Sequence, residues 1–204
     1  MKVKIAFSTL ACPDWAWSDI YSMAKDFKFD GIELRGLGNE IFSVKAKPFT
    51  DEQLPATVEK LRSLNLEIPC ISSGACLKFK DRFAEAENEV TEYARLANKL
   101  GASYIRILAD LAPAPDGEVD DDYIVDSLKK LVPIAEENNV TLLVETNGVY
   151  CDTARLARVL DKVRSRKVGA IWDMHHPYRY NGESPETTVG NLGEHIKYVQ
   201  VKDS

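Results

Sequence analysis

Short β-rich apolar runs alternate with longer segments of helical period along nearly all 204 residues, and polar side chains able to do chemistry stand where most of those runs end. No glycine-rich phosphate turn follows the first run. Together these observations predict an α/β fold in one domain, residues 1–204, with a parallel sheet inside a layer of helices, closed as a (β/α)8 barrel. A doubly wound open sheet would carry a glycine-rich turn after its first strand, and here that turn is Thr9-Leu-Ala-Cys-Pro13. About seven βα units are legible. The expectation is a barrel cut short after strand seven, the larger part of a longer polypeptide.

Residues 3–8 read as the first strand. Trp17, Ile20, Ala24 and Phe27 then share one helical face. Residues 31–34 form the second strand, residues 51–64 carry Leu54, Val58 and Leu61 on one stripe, and residues 67–71 form the third strand. The longest helix, residues 82–100, aligns Phe83, Ala86, Val90, Ala94 and Ala97 and stops at Gly101, which suits a left-handed C-terminal cap. Residues 104–109 are strand four. The acidic run 118–122 favours a helix start through the macrodipole, with Ile124, Leu128, Leu131 and Ala135 as the buried face. Pro133 inside that pattern predicts a kink. Residues 140–144 form strand five, 153–163 a helix, 168–172 strand six and 196–201 strand seven.

Composition narrows the function. A chain of this length buries roughly 70% of its unfolded surface, enough for a core without disulfide or metal staples. With 26 basic and 32 acidic side chains the net charge is −6, which repels phosphate backbones and argues against nucleic acid as a partner. Cys12, Cys70, Cys76 and Cys151 contain no CxxC pair, so reduced thiols in a cytoplasmic protein are expected. No apolar stretch approaches the ~18 residues of a membrane span, so no membrane partner is expected; a homo-oligomer stays open.

The strand ends hold the chemistry. Glu33 and Arg35 close strand two, Ser72 and Ser73 strand three, Arg106 strand four, Glu145 and Asn147 strand five, Asp173 and His176 strand six, and Gln200 and Lys202 strand seven. A carboxylate ending an apolar strand needs a partner or a metal. Glu145, Asp173 and the Gln200 amide oxygen recur on successive strands, a hard donor set suited to Mg²⁺ or Mn²⁺. His176, three residues after Asp173, is placed to exchange a proton. Lys202 and Arg106 are candidates to neutralise an oxyanion, carboxylate or phosphate; a salt bridge to Glu33 or Glu145 in the rim is the competing account. Trp15 is a candidate wall for a sugar-like ring, whereas Trp17 fits its helix stripe and reads as core. Cys12 and Cys76 have no neighbouring His and are not expected to be nucleophiles.

Asp30-Gly-Ile-Glu-Leu-Arg35, Leu142-Leu-Val-Glu-Thr146, Ile171-Trp-Asp-Met-His-His-Pro177 and Val199-Gln-Val-Lys-Asp203 resemble successive motifs of the xylose-isomerase-like TIM-barrel superfamily. The resemblance spans nearly the whole chain. It implies one divalent metal on a Glu after strand five, an Asp after strand six, a His or Gln on strand seven and a Glu after strand eight. The first three fall on Glu145, Asp173 and Gln200, and the fourth has no counterpart here. The superfamily's endonuclease branch carries extra histidines after strands three and four, where this chain has Ser72-Ser73 and Arg106. Its epimerases usually present His on strand seven. Gln200 resembles the dehydroshikimate dehydratases instead, yet those tend to carry His where this chain has Asn147.

The resemblance therefore implies a sugar or sugar-phosphate isomerase or epimerase acting through an enediolate, with Glu145 as ligand and base, His176 and Lys202 assisting, and Glu33, Arg35, Trp15, Arg106 and Asn147 binding substrate. The alternatives are a metal-dependent lyase on a dehydroshikimate-like keto acid or an inosose-like hydroxyketone, and a non-catalytic carbohydrate-binding barrel.

Overall fold

In the computed structural model, which describes residues 3–202, seven parallel strands lie side by side in chain order. β1 (Ala6–Ser8) pairs with β2 (Gly31–Glu33), Ala6 opposite Gly31 and Ser8 opposite Glu33. β3 (Cys70–Cys76), β4 (Tyr104–Leu108), β5 (Thr141–Glu145), β6 (Val168–Asp173) and β7 (Ile196–Gln200) form a second ladder. Two single bridges, Gly31 to Glu67 and Leu34 to Ile71, join the two. Pro69 lies between those bridges and has no N–H to give, so the third strand runs from Cys70 to Cys76 instead of over residues 67–71. Its pairing with β4 slips between Ser72 and Cys76, where a run of small residues tolerates the irregularity.

Among the described residues β1 pairs only with β2 and β7 only with β6. The sheet is nonetheless curled, because contacts cross its concave side: Gln200 of β7 reaches Glu33 of β2 at 2.9 Å, and the rings of Tyr104 and Tyr198 meet at 6.1 Å. A cleft of about 1680 Å³ follows the open seam and the concave face. Val3, Ile5, Val199 and Val201 are exposed beside it.

The helices cover the other face. α1 (Trp17–Asp26) buries Ile20 and Ala24, and Trp17 packs edge-on against Tyr21 and Phe49. Phe27, placed on that stripe by periodicity, is 75% exposed because the helix ends before it and the chain turns away through Lys28 at φ 61°. α2 (Leu54–Leu64) has Pro55 in its first turn and ends on a left-handed Asn65. α3 (Phe83–Leu100) ends on Gly101 at φ 72°, the expected left-handed cap. α4 (Asp121–Glu137) starts where Asp120 accepts from the Tyr123 N–H at 3.1 Å. It continues through Pro133, since that ring and Lys129, whose carbonyl loses its helical donor, both face solvent. α5 (Thr153–Val163) is capped by Asp152, and α6 (His175–Asn181) and α7 (Pro185–Leu192) follow β6. No helix among the described residues is long and apolar enough to cross a membrane.

Alternation along the strands separates two cores. Ile105, Ile107, Leu142, Val144 and Ala170 point outward and merge with Val90, Ala94, Leu128 and Leu156 from the helices. Cys70, Leu143 and Ile171, flanked by Tyr104 and Tyr198, form a small apolar floor on the concave side. β6 approaches its neighbours closely at Gly169, where a Cβ would stand 2.9 Å from the His195 carbonyl oxygen, 3.0 Å from Lys197 Cγ and 3.3 Å from Leu143 Cδ2. Gly169→Ala is expected to lower unfolding free energy by about 1–3 kcal/mol through overpacking. Urea denaturation checks this, and an unchanged midpoint would show that β6 and β7 can part without cost.

Candidate active site

The next inward positions beyond the apolar floor bring the strand ends together. On β5 the inward residues are Leu143 and then Glu145; on β6 they are Ile171 and then Asp173; on β7 Gln200 stands opposite Asp173. Glu145, Asp173, Arg106 and Glu33 are all buried, and all line the cleft.

Thr146 locks the ends of β5 and β6. Its hydroxyl donates to the Asp173 carbonyl at 3.2 Å and accepts from the Asp173 N–H at 3.0 Å. Asp173 Oδ1 in turn accepts from the N–H groups of His175 at 2.9 Å and His176 at 3.3 Å, satisfying donors at the start of α6. That seat turns the His176 ring inward. His176 Nδ1 is 3.2 Å from the Thr146 carbonyl, which only accepts, so Nδ1 carries the hydrogen and Nε2 presents a lone pair. Burial lowers the basicity of this imidazole; the Asp173 charge opposes the shift and Lys202 adds to it.

One donor atom each from Glu145, Asp173 and His176 lies within 4.8 Å of the others, and all three residues are buried. Lys202 Nζ stands 2.7 Å from Asp173 Oδ2 and 2.6 Å from His176 Nε2. Cys151 is nearby but keeps its proton. Burial and then the Asp173 and Glu145 charges push its thiol up to about 12, and its sulfur leans on the carbonyls of Pro113 and Thr146. The donor set is therefore two carboxylates and a neutral imidazole, which fits a divalent cation of hard or borderline character.

Across the cleft, Glu33 Oε1 accepts from Ser72 Oγ and from Gln200 Nε2, both at 2.9 Å. Burial pushes the Glu33 carboxyl up, while those two bonds and Arg106 pull it back. Gln200, expected as a metal ligand through its amide oxygen, thus commits its amide nitrogen to Glu33 and has the oxygen left over. The salt-bridge account holds in part: Arg106 Nε lies 3.3 Å from Glu145 Oε2, and Lys202 pairs with Asp173, not with Glu33 or Glu145. The Arg106 approach is misaligned, so its Nε–H has no hydrogen-bond acceptor. Arg35 lines the same cleft, its basicity lowered by burial and by Arg106.

Two expected substrate contacts lie elsewhere. Trp15 is 44% exposed on the loop after β1 and does not line the cleft. The Asn147 amide donates to the carbonyls of Asp110 at 2.8 Å and Leu111 at 3.2 Å, so it clasps two loops together. Asp110, fully buried, completes the clasp by accepting from Lys78 Nζ and from the N–H groups of Leu111 and Val149. Gly148, at φ 58°, packs on that carboxylate where no side chain fits. Sequence reasoning missed Asp110 and Thr146. Their only signal was position, just past the apolar strands β4 and β5.

Asp173→Asn keeps the Oδ1 acceptor that seats α6, whereas Asp173→Ala frees the buried His176 N–H and the half-buried His175 N–H. The alanine variant is expected to be less stable than the asparagine variant by about 1–3 kcal/mol in chemical denaturation. Equal losses would show that the seat contributes nothing.

Residues 22–204 match the family model described as xylose isomerase-like TIM barrel. No curated protein matches the chain in sequence. Among solved structures, the probable 3-DHS dehydratase AsbF of Bacillus anthracis aligns over 97% of this chain and 72% of its own, with TM-score 0.79 and 20% identity. The 3-keto-D-glucoside 4-epimerase YcjR of E. coli aligns over 99% and 80%, with TM-score 0.76 and 16% identity. A xylose isomerase-like TIM barrel protein of Mycobacterium smegmatis in complex with magnesium aligns over 98% and 74%, with TM-score 0.75 and 16% identity. At such identities the likeness shows the fold. With nine-tenths of its length matched by the family model, the chain belongs to the xylose isomerase-like TIM-barrel family.

Proposed function

We propose that this chain is a divalent-metal-dependent isomerase or epimerase of a sugar or sugar phosphate. The observation that carries the reading is the buried cluster of Glu145, Asp173 and His176 at the mouth of a cleft large enough for such a substrate. Mn²⁺ or Mg²⁺ suits the two carboxylates best, and the magnesium in the Mycobacterium smegmatis relative supports a divalent ion. The Gln200 amide oxygen is a fourth candidate donor. Such an ion acts as a Lewis acid on a carbonyl and its neighbouring hydroxyl, making the C–H between them acidic.

The protein's own groups do the rest. Glu145, buried with Arg106 Nε 3.3 Å away, is placed to take a proton from carbon. Neutral His176 would present its Nε2 lone pair to the ion, with the Thr146 carbonyl holding the ring in that tautomer. Lys202 faces the same space and can balance an oxyanion. The four unpaired cysteines support a reducing, cytoplasmic setting. A second reading, a metal-dependent lyase on a hydroxy keto acid, is favoured by the cationic Arg35 and Arg106 in the cleft and by the dehydratase relative.

Mn²⁺ titration followed by a panel of ketoses in D₂O tests the proposal. Tight binding of one ion with deuterium entering recovered sugar is expected; a new conjugated absorbance from keto acids without that exchange favours the lyase. Glu145→Gln and Asp173→Asn are each expected to weaken Mn²⁺ by more than the roughly 10–100-fold typical of residues that only orient ligands. Wild-type Mn²⁺ affinity in both variants would remove the cluster as a metal centre.

A further inference from the structure

The cleft carries two guanidinium groups that the metal cluster does not explain. β2 and β4 are separated by β3, which lines the cleft here with Ser72, followed two residues on by Gly74. Backbones two strands apart stand about 9–10 Å from each other, and between Arg35 and Arg106 the cleft is lined from β3 by Ser72 alone, a hydroxymethyl. At Gly74 a Cβ would lie 3.9 Å from Arg35 Nη2, so the guanidinium lies close to this glycine. The two arginines are close enough that the Arg106 charge lowers the basicity of Arg35, after burial.

Neither charge is fully matched. Arg106 is nine-tenths buried, and its Nε–H has no acceptor despite Glu145 at 3.3 Å. Glu145 also faces His176 at 3.5 Å and is shared with the donor cluster. Arg35 has neither an ion pair nor a side-chain hydrogen bond among the described residues. Glu89 on that side favours the Arg35 charge at a distance but gives it no ion pair, its Oε1 accepting from the Gly74 N–H at 2.6 Å. A buried cation without an aligned acceptor is costly. Buried Arg106 and half-buried Arg35, both lining the cleft across Ser72, make a pair suited to an anion with two or three oxygens.

We infer that Arg35 and Arg106 form an anion-binding end of the site, which takes a carboxylate or phosphate carried by the substrate while its reacting carbons lie over Glu145 and Asp173. The inference rests on the proposed function for the reacting end only; the arginine pair stands on its own geometry. It narrows the substrate to an acidic one, a sugar acid or a sugar phosphate, over a neutral sugar.

Calorimetric titration of the full chain with glycerol, glycerate and glycerol 3-phosphate tests it, because the three differ in anionic group on one small polyol frame. At least one anionic probe is expected to bind about tenfold or more tighter than glycerol, a difference of about 1.4 kcal/mol; the tighter of the two tells carboxylate from phosphate. Arg35→Gln and Arg106→Gln should each erase most of that preference, and Arg106→Lys, which keeps the charge but loses the fork, should restore only part. Should Arg106→Gln fail to fold, Arg35→Gln and Arg106→Lys decide. Anionic probes that bind no tighter than glycerol, or an unchanged preference in the arginine variants, would overturn the inference. Mn²⁺ binding measured on the same proteins separates the two proposals: an anion preference without Mn²⁺ binding supports the arginine pair and sinks the metal reading, and Mn²⁺ binding without anion preference does the reverse.

Discussion

Strict alternation of side chains along parallel strands is the constraint on which this molecule depends. Outward positions of β4, β5 and β6 are apolar throughout and bind the helices into one core. Inward positions change character along β4, β5 and β6, from Tyr104, Leu143 and Ile171 at the floor to Arg106, Glu145 and Asp173 toward the mouth. A slip of one residue in any of these strands would thrust a charge among the helices and an isoleucine or valine into the cleft. Register is therefore enforced by the cost of burying an unpaired ion, and the charged layer helps to specify the sheet that holds it.

The same layer is electrostatically economical. Glu33, Glu145 and Asp173 are each more than nine-tenths buried, and each is met by a hydrogen-bond donor or a cation from a different strand: Ser72 and Gln200, Arg106, and Lys202. Partners drawn from separate strands can be satisfied together only when the sheet curls, so polar pairing on the concave side and apolar packing on the convex side demand the same curvature. Lys202 illustrates the consequence for chemistry. Its ammonium touches the two donor atoms, Asp173 Oδ2 and His176 Nε2, that a divalent cation would use. One positive charge and two compete for the same lone pairs, and a flexible lysine stem yields at little cost.

Much of this was legible in the sequence because the periods are clean. β4 to β7 fall within a residue or two of the expected runs, and Glu145, Asp173 and His176 stand together as the strand ends suggested. The failures share a cause: partners far away in sequence. Nothing in residues 67–71 reveals that Pro69 will break the ladder and delay β3, since that depends on which neighbour needs the missing N–H. Asn147 looks like a substrate ligand until the carbonyls of Asp110 and Leu111 are seen to take its amide. Gln200 presents two chemically different ends, and only the position of Glu33 on β2 decides which end is committed. α6 carries no helical period at all, because what starts it is the Asp173 carboxylate and not an apolar stripe.

That last point separates reactivity from specificity. The hydrogen bonds that orient the donor cluster run from Thr146 to Asp173 and from Thr146 to His176, within two adjacent strands and the turn leaving them. They involve none of the long loops 36–49 or 111–120, so those loops can change without moving the reacting groups. Arg35 and Arg106 belong to other strands and are coupled to the cluster only through the Glu145 carboxylate. On the proposed reading, such a site holds its reacting end by strand register and its anion-binding end by two long side chains. That arginine end is the cheaper of the two to alter: exchanging Arg35 or Arg106 disturbs one ion pair at most, whereas displacing Asp173 also unseats α6 and the His176 ring it carries.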